Sequence, residues 1–124
     1  MSLEPAHRLR RGHQFEEIAC RHLEGQGLNL LARNFRTRSG EVDLVMADRE
    51  TVVFIEVRSR ASARLIEPVA TITFTKQRRV IRAAQLFLAR HQRLSGHPCR
   101  FDVVGITGTL ESHSLTWLKA AFTA

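Results

Sequence analysis

With 124 residues, 44% of them apolar, and no apolar run long enough to span a bilayer, the sequence has the size and composition of one globular domain, not of a disordered or membrane-spanning chain. The basic N-terminus lacks the apolar core of a secretory leader, and two cysteines, Cys20 and Cys99, stand in unrelated contexts without metal-type spacing, so we expect a cytoplasmic protein with small buried or half-buried thiols. The formal charge of +7, carried by 17 arginines and two lysines, points to a polyanionic partner without separating DNA, RNA, ribosome or anionic membrane.

Residues 1–7 read as a loose tail and residues 8–124 as a single domain. Over residues 8–25, Leu9, Phe15, Ile18, Ala19 and Leu23 recur at spacings of three and four, which predicts an amphipathic helix ended by Gly25 and Gly27. Glu17 and Arg21 form an i, i+4 pair on its outer face. LNLLARNFR (28–36) reads as a strand closed by the polar turn TRSG, and EVDLVMA (41–47) as a second strand. After the turn at 48–50, residues 51–59 form a third strand whose VVFI is continuously apolar and so buried on both faces. Residues 60–72, with Pro68, read as an irregular loop. A second helix, capped by Thr73 or Thr75 and reaching about Leu94, turns Val80, Ala84, Phe87 and Leu88 inward. SGHP breaks it, and RFDVVGITG (100–108) and LTWLKAAF (115–122) are two further strands, the last at an edge. The order αβββαββ predicts an α/β protein with a mixed central sheet flanked by helices, not a doubly wound parallel sheet.

Several charges break this pattern. Glu56 and Arg58 share a face at the end of the apolar third strand, roughly 6.5–7 Å apart. If the second and third strands pair through the short turn, Asp43, on one face with Glu41, falls within a residue or two of Glu56. Two carboxylates brought together at one end of a sheet repel unless a proton or cation lies between them, and a hard divalent ion with oxygen ligands fits. Glu16 interrupts the inward stripe of the first helix as a third carboxylate. Lys76 heads the inward stripe of the second helix, where a cation opposes the helix dipole. The bland alternatives are a helix-edge Glu16, strand-end charges at Asp43 and Glu56 paired with Arg58 or Arg36, a solvated Lys76 and a surface Glu41. Asp102 reads as the structural partner of an arginine, and the six histidines have no ligand spacing.

GEVDLVMADRETVVFIEVRSR (40–60) closely resembles the GEIDLI…VFVEVK.R signature of the YraN family of small bacterial proteins. The match extends to Gly12, Glu16, Ala19, Leu23, Gly27 and ARNFR (32–36) upstream, and to Lys76-Gln77 and RFDVV (100–104) downstream, about residues 11–107 in all. The resemblance implies a restriction-endonuclease-like fold, similar to that of archaeal Holliday-junction resolvases, and by the same analogy a homodimer. It implies Asp43 and Glu56 as ligands of Mg²⁺ or Mn²⁺, Glu16 as an accessory acid, and Arg58 in the position where the motif carries lysine. Arginine stays charged and cannot act as a base, though it can clamp a phosphate. Lys76, if it faces the sheet, could supply part of the missing function.

The expectation is therefore a metal-dependent nuclease acting on DNA, more than on RNA, with branched or recombination intermediates among its substrates. Arg11, Arg36, Arg38, Arg60, Arg64, Arg78 and Arg79 would contact the phosphate backbone. The alternative is a non-catalytic nucleic-acid-binding module on the same fold, in which Glu56–Arg58 is a structural ion pair. A third reading is a protein-interaction role for the basic face. Trp117 and the seven phenylalanines are not visibly interleaved with the basic positions, which speaks against a stacking-type single-strand binder.

Overall fold

The computed structural model describes the backbone of residues 5–61 and 72–124 and the side chains of residues 12–61 and 72–124. Residues 1–4, the side chain of Arg11, and residues 62–71, where the expected loop with Arg64 and Pro68 falls, lie outside the described residues. The elements follow the expected order: α1 (Pro5–Gly25), β1 (Asn29–Arg36), β2 (Glu41–Asp48), β3 (Thr51–Arg60), α2 (Phe74–Arg90), a short 3-10 turn (Gln92–Leu94), β4 (Cys99–Gly108) and β5 (His113–Phe122). Helix α1 is described from Pro5, three residues before the expected start.

The end of α1 is set by Gly27, whose φ of 101° suits glycine. The Leu28 N–H reaches back to the Leu23 carbonyl at 3.1 Å and the Gly27 N–H to the Glu24 carbonyl at 3.0 Å. This pair of bonds, with Leu23 and Leu28 both buried in one cluster, turns the chain directly into β1. At the start of α2, Thr73 and not Thr75 is the cap, its hydroxyl accepting from the Lys76 N–H at 3.1 Å. The helix stops at Arg90, four residues short of the expected Leu94. There His91 leaves helical geometry, and its Nδ1 lies 2.7 Å from the Phe87 carbonyl, in contact with the last turn.

The five strands form one sheet in the order β1-β2-β3-β4-β5. All neighbours are antiparallel except β3 and β4, whose parallel register runs from Val52↔Cys99 to Arg60↔Thr107. A parallel neighbour requires a crossover, and the chain between β3 and β4 carries α2. The sheet is therefore mixed with β5 at an edge, as the order of elements implied. Helix α1 covers one face, where Phe15, Ala19, Cys20 and Leu23 pack with Leu44, Met46, Val53, Ile55, Val104 and Ile106. Helix α2 covers the other, where Val80, Ala83, Ala84 and Phe87 pack with Val42, Val45, Val52, Phe54, Phe101 and Val103. Strand β3 feeds both layers, so Val52 to Ile55 are all buried, as their unbroken apolar run predicts.

Helix α2 also sits directly on the turn between β1 and β2. A Cβ at Gly40 would overlap the Arg79 carbonyl oxygen, so only glycine permits this approach. The turn is closed by the Gly40 N–H on the Thr37 hydroxyl at 3.1 Å and the Thr37 N–H on the Gly40 carbonyl at 2.8 Å. This contact fixes the start of β2 against the first two turns of α2. Among the described residues, no helix is long and apolar enough to cross a membrane.

Candidate active site

The first cause of the site is a break in strand alternation. Along β1 and β2 the register runs Ala32↔Val45, Arg33↔Leu44, then Phe35↔Val42. Leu44 belongs to the α1 layer, yet Val42, two residues away, belongs to the α2 layer. Residues two apart on a regular strand share a face. Both strands therefore switch faces at the same level, β2 at Asp43 and β1 at Asn34, whose φ of 48° is left-handed. The expectation that alternation places Glu41 and Asp43 on one face fails here, because a one-residue irregularity re-aims side chains.

The second cause is a parting of strands. The β2–β3 ladder runs from Asp48↔Thr51 to Leu44↔Ile55 and ends, while β1–β2 pairing continues to Arg36↔Glu41 and β3–β4 pairing to Arg60↔Thr107. In the gap, the Val57 N–H donates not to a neighbouring strand but to the Asp43 carboxylate, at 2.8 Å. This brings Asp43 next to Glu56, as counting outward from the turn predicted. Glu56 follows Phe54 toward the α2 layer and is 7% exposed.

The electrostatics follow from this crowding. Burial, then the Asp43 charge beside it, push the Glu56 carboxyl up to about 8, against the pull of Lys76. Lys76 Nζ lies 3.3 Å from Glu56 Oε2 and 3.0 Å from Glu41 Oε1. Burial works against the ammonium, but these two carboxylates hold Lys76 above its ordinary value. Glu41, read from the sequence as a surface acid, is instead a hub. Arg79 Nη2 lies 3.3 Å and Arg36 Nη1 3.9 Å from its Oε2, and the Lys76 hydrogen bond, followed by its charge and Arg79, holds its carboxyl below the ordinary range. Glu16 comes from α1: burial, then the Asp43 charge, raise its carboxyl, while the side-chain amide of Asn34 hydrogen-bonds it and lowers it.

Glu16, Asp43, Glu56 and Lys76 are thus brought together at one end of the sheet. Arg58 lines a cavity of about 250 Å³ with Glu56, Ile72, Thr73 and Lys76, so the motif arginine shares the space in front of the buried acid. Arg36, at the end of β1, and Arg60, at the end of β3, flank the same edge, with Arg38 in the adjoining turn and Arg78 and Arg79 near the start of α2. Phe74, 70% exposed, stands beneath the Arg78 guanidinium at 5.7 Å. An aromatic is therefore interleaved with the basic positions after all; the i, i+4 spacing of Phe74 and Arg78 on a helix could have shown it.

The donors at this site suit a hard cation in kind. As a carboxylate, Glu56 has a buried Oε1 that no donor reaches among the described residues; only with its proton can it bond to the Asp43 carboxylate beside it. Among the described residues no group of three or more His, Cys, Asp or Glu side chains could by itself hold a metal ion, so the acidic donors come as the pair Asp43 and Glu56. A Mg²⁺-type ion takes one or two carboxylates and completes its shell with waters and other oxygens, which fits a pair.

Away from the site, Asp102 is the arginine partner the sequence suggested. It accepts from Arg100 Nε at 2.9 Å and Nη2 at 3.1 Å, from Trp117 Nε1 at 2.9 Å and from the Ala120 N–H at 2.9 Å. Arg100 also binds Asp48 at 3.1 Å. Cys20 is buried as expected, but Cys99, expected to be at least half-buried, is exposed at the start of β4.

The model of an uncharacterised protein family, UPF0102, matches residues 15–106. A UPF0102 protein of Nitrosococcus oceani is 46% identical over 120 residues, 97% of each chain. Similar proteins from Coxiella burnetii (47% over 110 residues, 89% of each chain) and Stutzerimonas stutzeri (48% over 111 residues, 90% of this chain and 92% of the relative) carry the same family name, which states no activity. The matched span contains Glu16, Asn34, Asp43, Glu56, Arg58 and Lys76. The resemblance to a family of small bacterial proteins is thereby supported at the level of the family; an endonuclease-like fold is not part of what these matches say.

Proposed function

The chain belongs to the uncharacterised protein family UPF0102, and from this premise we propose that it is a divalent-cation-dependent nuclease, cytoplasmic and with a restriction-endonuclease-like fold, that hydrolyses phosphodiester bonds in DNA, branched forms included. One observation carries the reading. A buried carboxylate with an oxygen that no donor among the described residues reaches is set against a second carboxylate in a gap between two strands. Such a group is costly to the fold without a proton or cation and is the kind of conflict that accumulates at functional sites.

In this reading Asp43 and Glu56 hold Mg²⁺ or Mn²⁺, which when bound supplies a water of lowered pKa and charge to meet the phosphate. Glu56 must release its proton for this, and Lys76 favours that release because its ammonium pairs with the charged form. Arg58, at the same cavity, binds the phosphate oxygens and stabilises the negative charge that develops on them; it takes no proton. Arg36, Arg38, Arg60, Arg78 and Arg79, at this end of the sheet, draw the DNA backbone over the site and make affinity fall with salt.

The test is cleavage of duplex, forked and four-way DNA with Mg²⁺ or Mn²⁺. Asp43→Ala and Glu56→Gln should lower the rate by more than about 100-fold, since ligands matter more than the groups that support them, and leave binding in place. Salt-dependent binding with no cation-dependent cutting on any substrate sinks the nuclease reading. That outcome would favour a non-catalytic DNA-binding module, for which Lys76 already provides a motive: its ammonium sits where it can neutralise Glu56 without a cation.

A further inference from the structure

Asn34 is a site residue that reading the sequence did not single out. It lies inside β1 with φ 48°, a conformation that L-residues avoid and asparagine tolerates better than most. Its place between Arg33↔Leu44 and Phe35↔Val42 sets it opposite Asp43, at the level where both strands switch faces. Its side-chain amide lies near the Glu16 carboxylate and opposes the upward push of burial on it. Oδ1 is buried without a partner among the described residues. Only two buried side-chain oxygens stand so in the described residues: this one and Glu56 Oε1.

Two buried acceptors without donors, flanking one aspartate, call for a positive group. Arginines and Lys76 already serve Glu41 and the outer oxygen of Glu56. The acidic donors alone fall short of three. Asparagine amide oxygens are ordinary ligands of hard divalent cations. We propose that Asn34 supplies a neutral amide oxygen to a divalent cation shared with Asp43 and Glu56, making the site two carboxylates and one amide. This rests on the reading of that carboxylate pair as a cation site.

Free-ion electron paramagnetic resonance of Mn²⁺ titrated into wild type, N34G and N34D tests this without measuring cleavage. Glycine accepts φ 48° without strain, so N34G should keep the fold, checked by circular dichroism in the absence of cation. It should bind Mn²⁺ about 10- to 100-fold more weakly. N34D keeps an oxygen at the same place and tolerates the same backbone, so it should bind at least as tightly as wild type. If Asn34 only steadied Glu16 by donation, N34D would lose that bond, add repulsion and bind as weakly as N34G; this result overturns the proposal. Unchanged binding by N34G overturns it as well, and should N34G fail to fold, N34D alone decides. Absence of Mn²⁺ binding in wild type removes the cation reading first and this inference with it, whereas binding without DNA cleavage leaves Asn34's role standing.

Discussion

Two carboxylates are buried on neighbouring strands, and they are built in opposite ways. Asp102 on β4 is fully buried and receives four donors, two from Arg100, one from Trp117 and one from the backbone at Ala120. Glu56 on β3 is nearly as buried, yet among the described residues no donor reaches one of its oxygens, the Asp43 carboxylate crowds it, and a single lysine is shared between it and Glu41. The first arrangement satisfies a charge so that β5 is pinned to β4. The second holds a proton against a neighbouring carboxylate, in a place that a cation could take. Burial alone does not distinguish structure from function here; the count of donors does.

The sharpest way to break this contrast is by truncation. Asp102→Ala leaves Arg100 Nε and Nη2, the Trp117 N–H and the Ala120 N–H without their acceptor, Arg100 keeping only Asp48, and should cost about 3–5 kcal/mol in urea unfolding. Glu56→Gln removes a charge that the fold holds at a cost, and should leave unfolding free energy at pH 8 unchanged or higher. Equal losses for both would erase the distinction.

A second test uses pH. The folded carboxyl of Glu56 is pushed up to about 8, above its ordinary unfolded value. The folded chain therefore keeps a proton that the unfolded chain has already released. The stabilisation is complete below the unfolded value and is lost as pH rises through about 8. Wild type should lose stability steadily between pH 5 and 8, and Glu56→Gln should flatten most of that slope, with Glu16, raised in the same direction, leaving a smaller remainder. An unaltered slope in Glu56→Gln would place the titration elsewhere. Cation affinity should run the other way and rise over the same window, because binding requires the proton to leave.

The smallest effect is expected at Arg58. It lines the cavity beside Glu56, and Arg58→Lys should leave stability within about 0.5 kcal/mol while raising the cleavage rate, since lysine can exchange a proton and arginine cannot. A large fall in stability would instead make Arg58 a structural partner of Glu56.

The order of elements and the layers on which they pack were legible because hydrophobic spacing reports them directly: Phe15, Ala19 and Leu23 on α1, Val80, Ala84 and Phe87 on α2, and the unbroken run of β3. The meeting of Asp43, Glu56 and Lys76 was legible too, since a short turn fixes strand register and a misplaced helix lysine signals a partner. Asn34 and the hub role of Glu41 were not. Asn34 depends on the face switch at Asn34 and Asp43, which a period-of-two reading assumes away, and the partners of Glu41 come from α2, 35 and 38 residues on, where spacing along the strand reports nothing. The end of α2 was overrun because His91 carries no strong stop signal; its contact with the Phe87 carbonyl appears only in three dimensions.

The bond from the Val57 N–H to Asp43 has a use of its own. In a sheet interior an amide proton is normally guarded by the next strand and exchanges with solvent only when the sheet opens. This one is guarded by a side chain that, in the reading above, takes a ligand. Its exchange rate and its nitrogen-15 shift should follow the state of Asp43 while its neighbours at Ile55 and Val53 stay still. The protein thus carries a built-in spectroscopic probe, one backbone resonance that reports on the carboxylate pair without label, substrate or turnover.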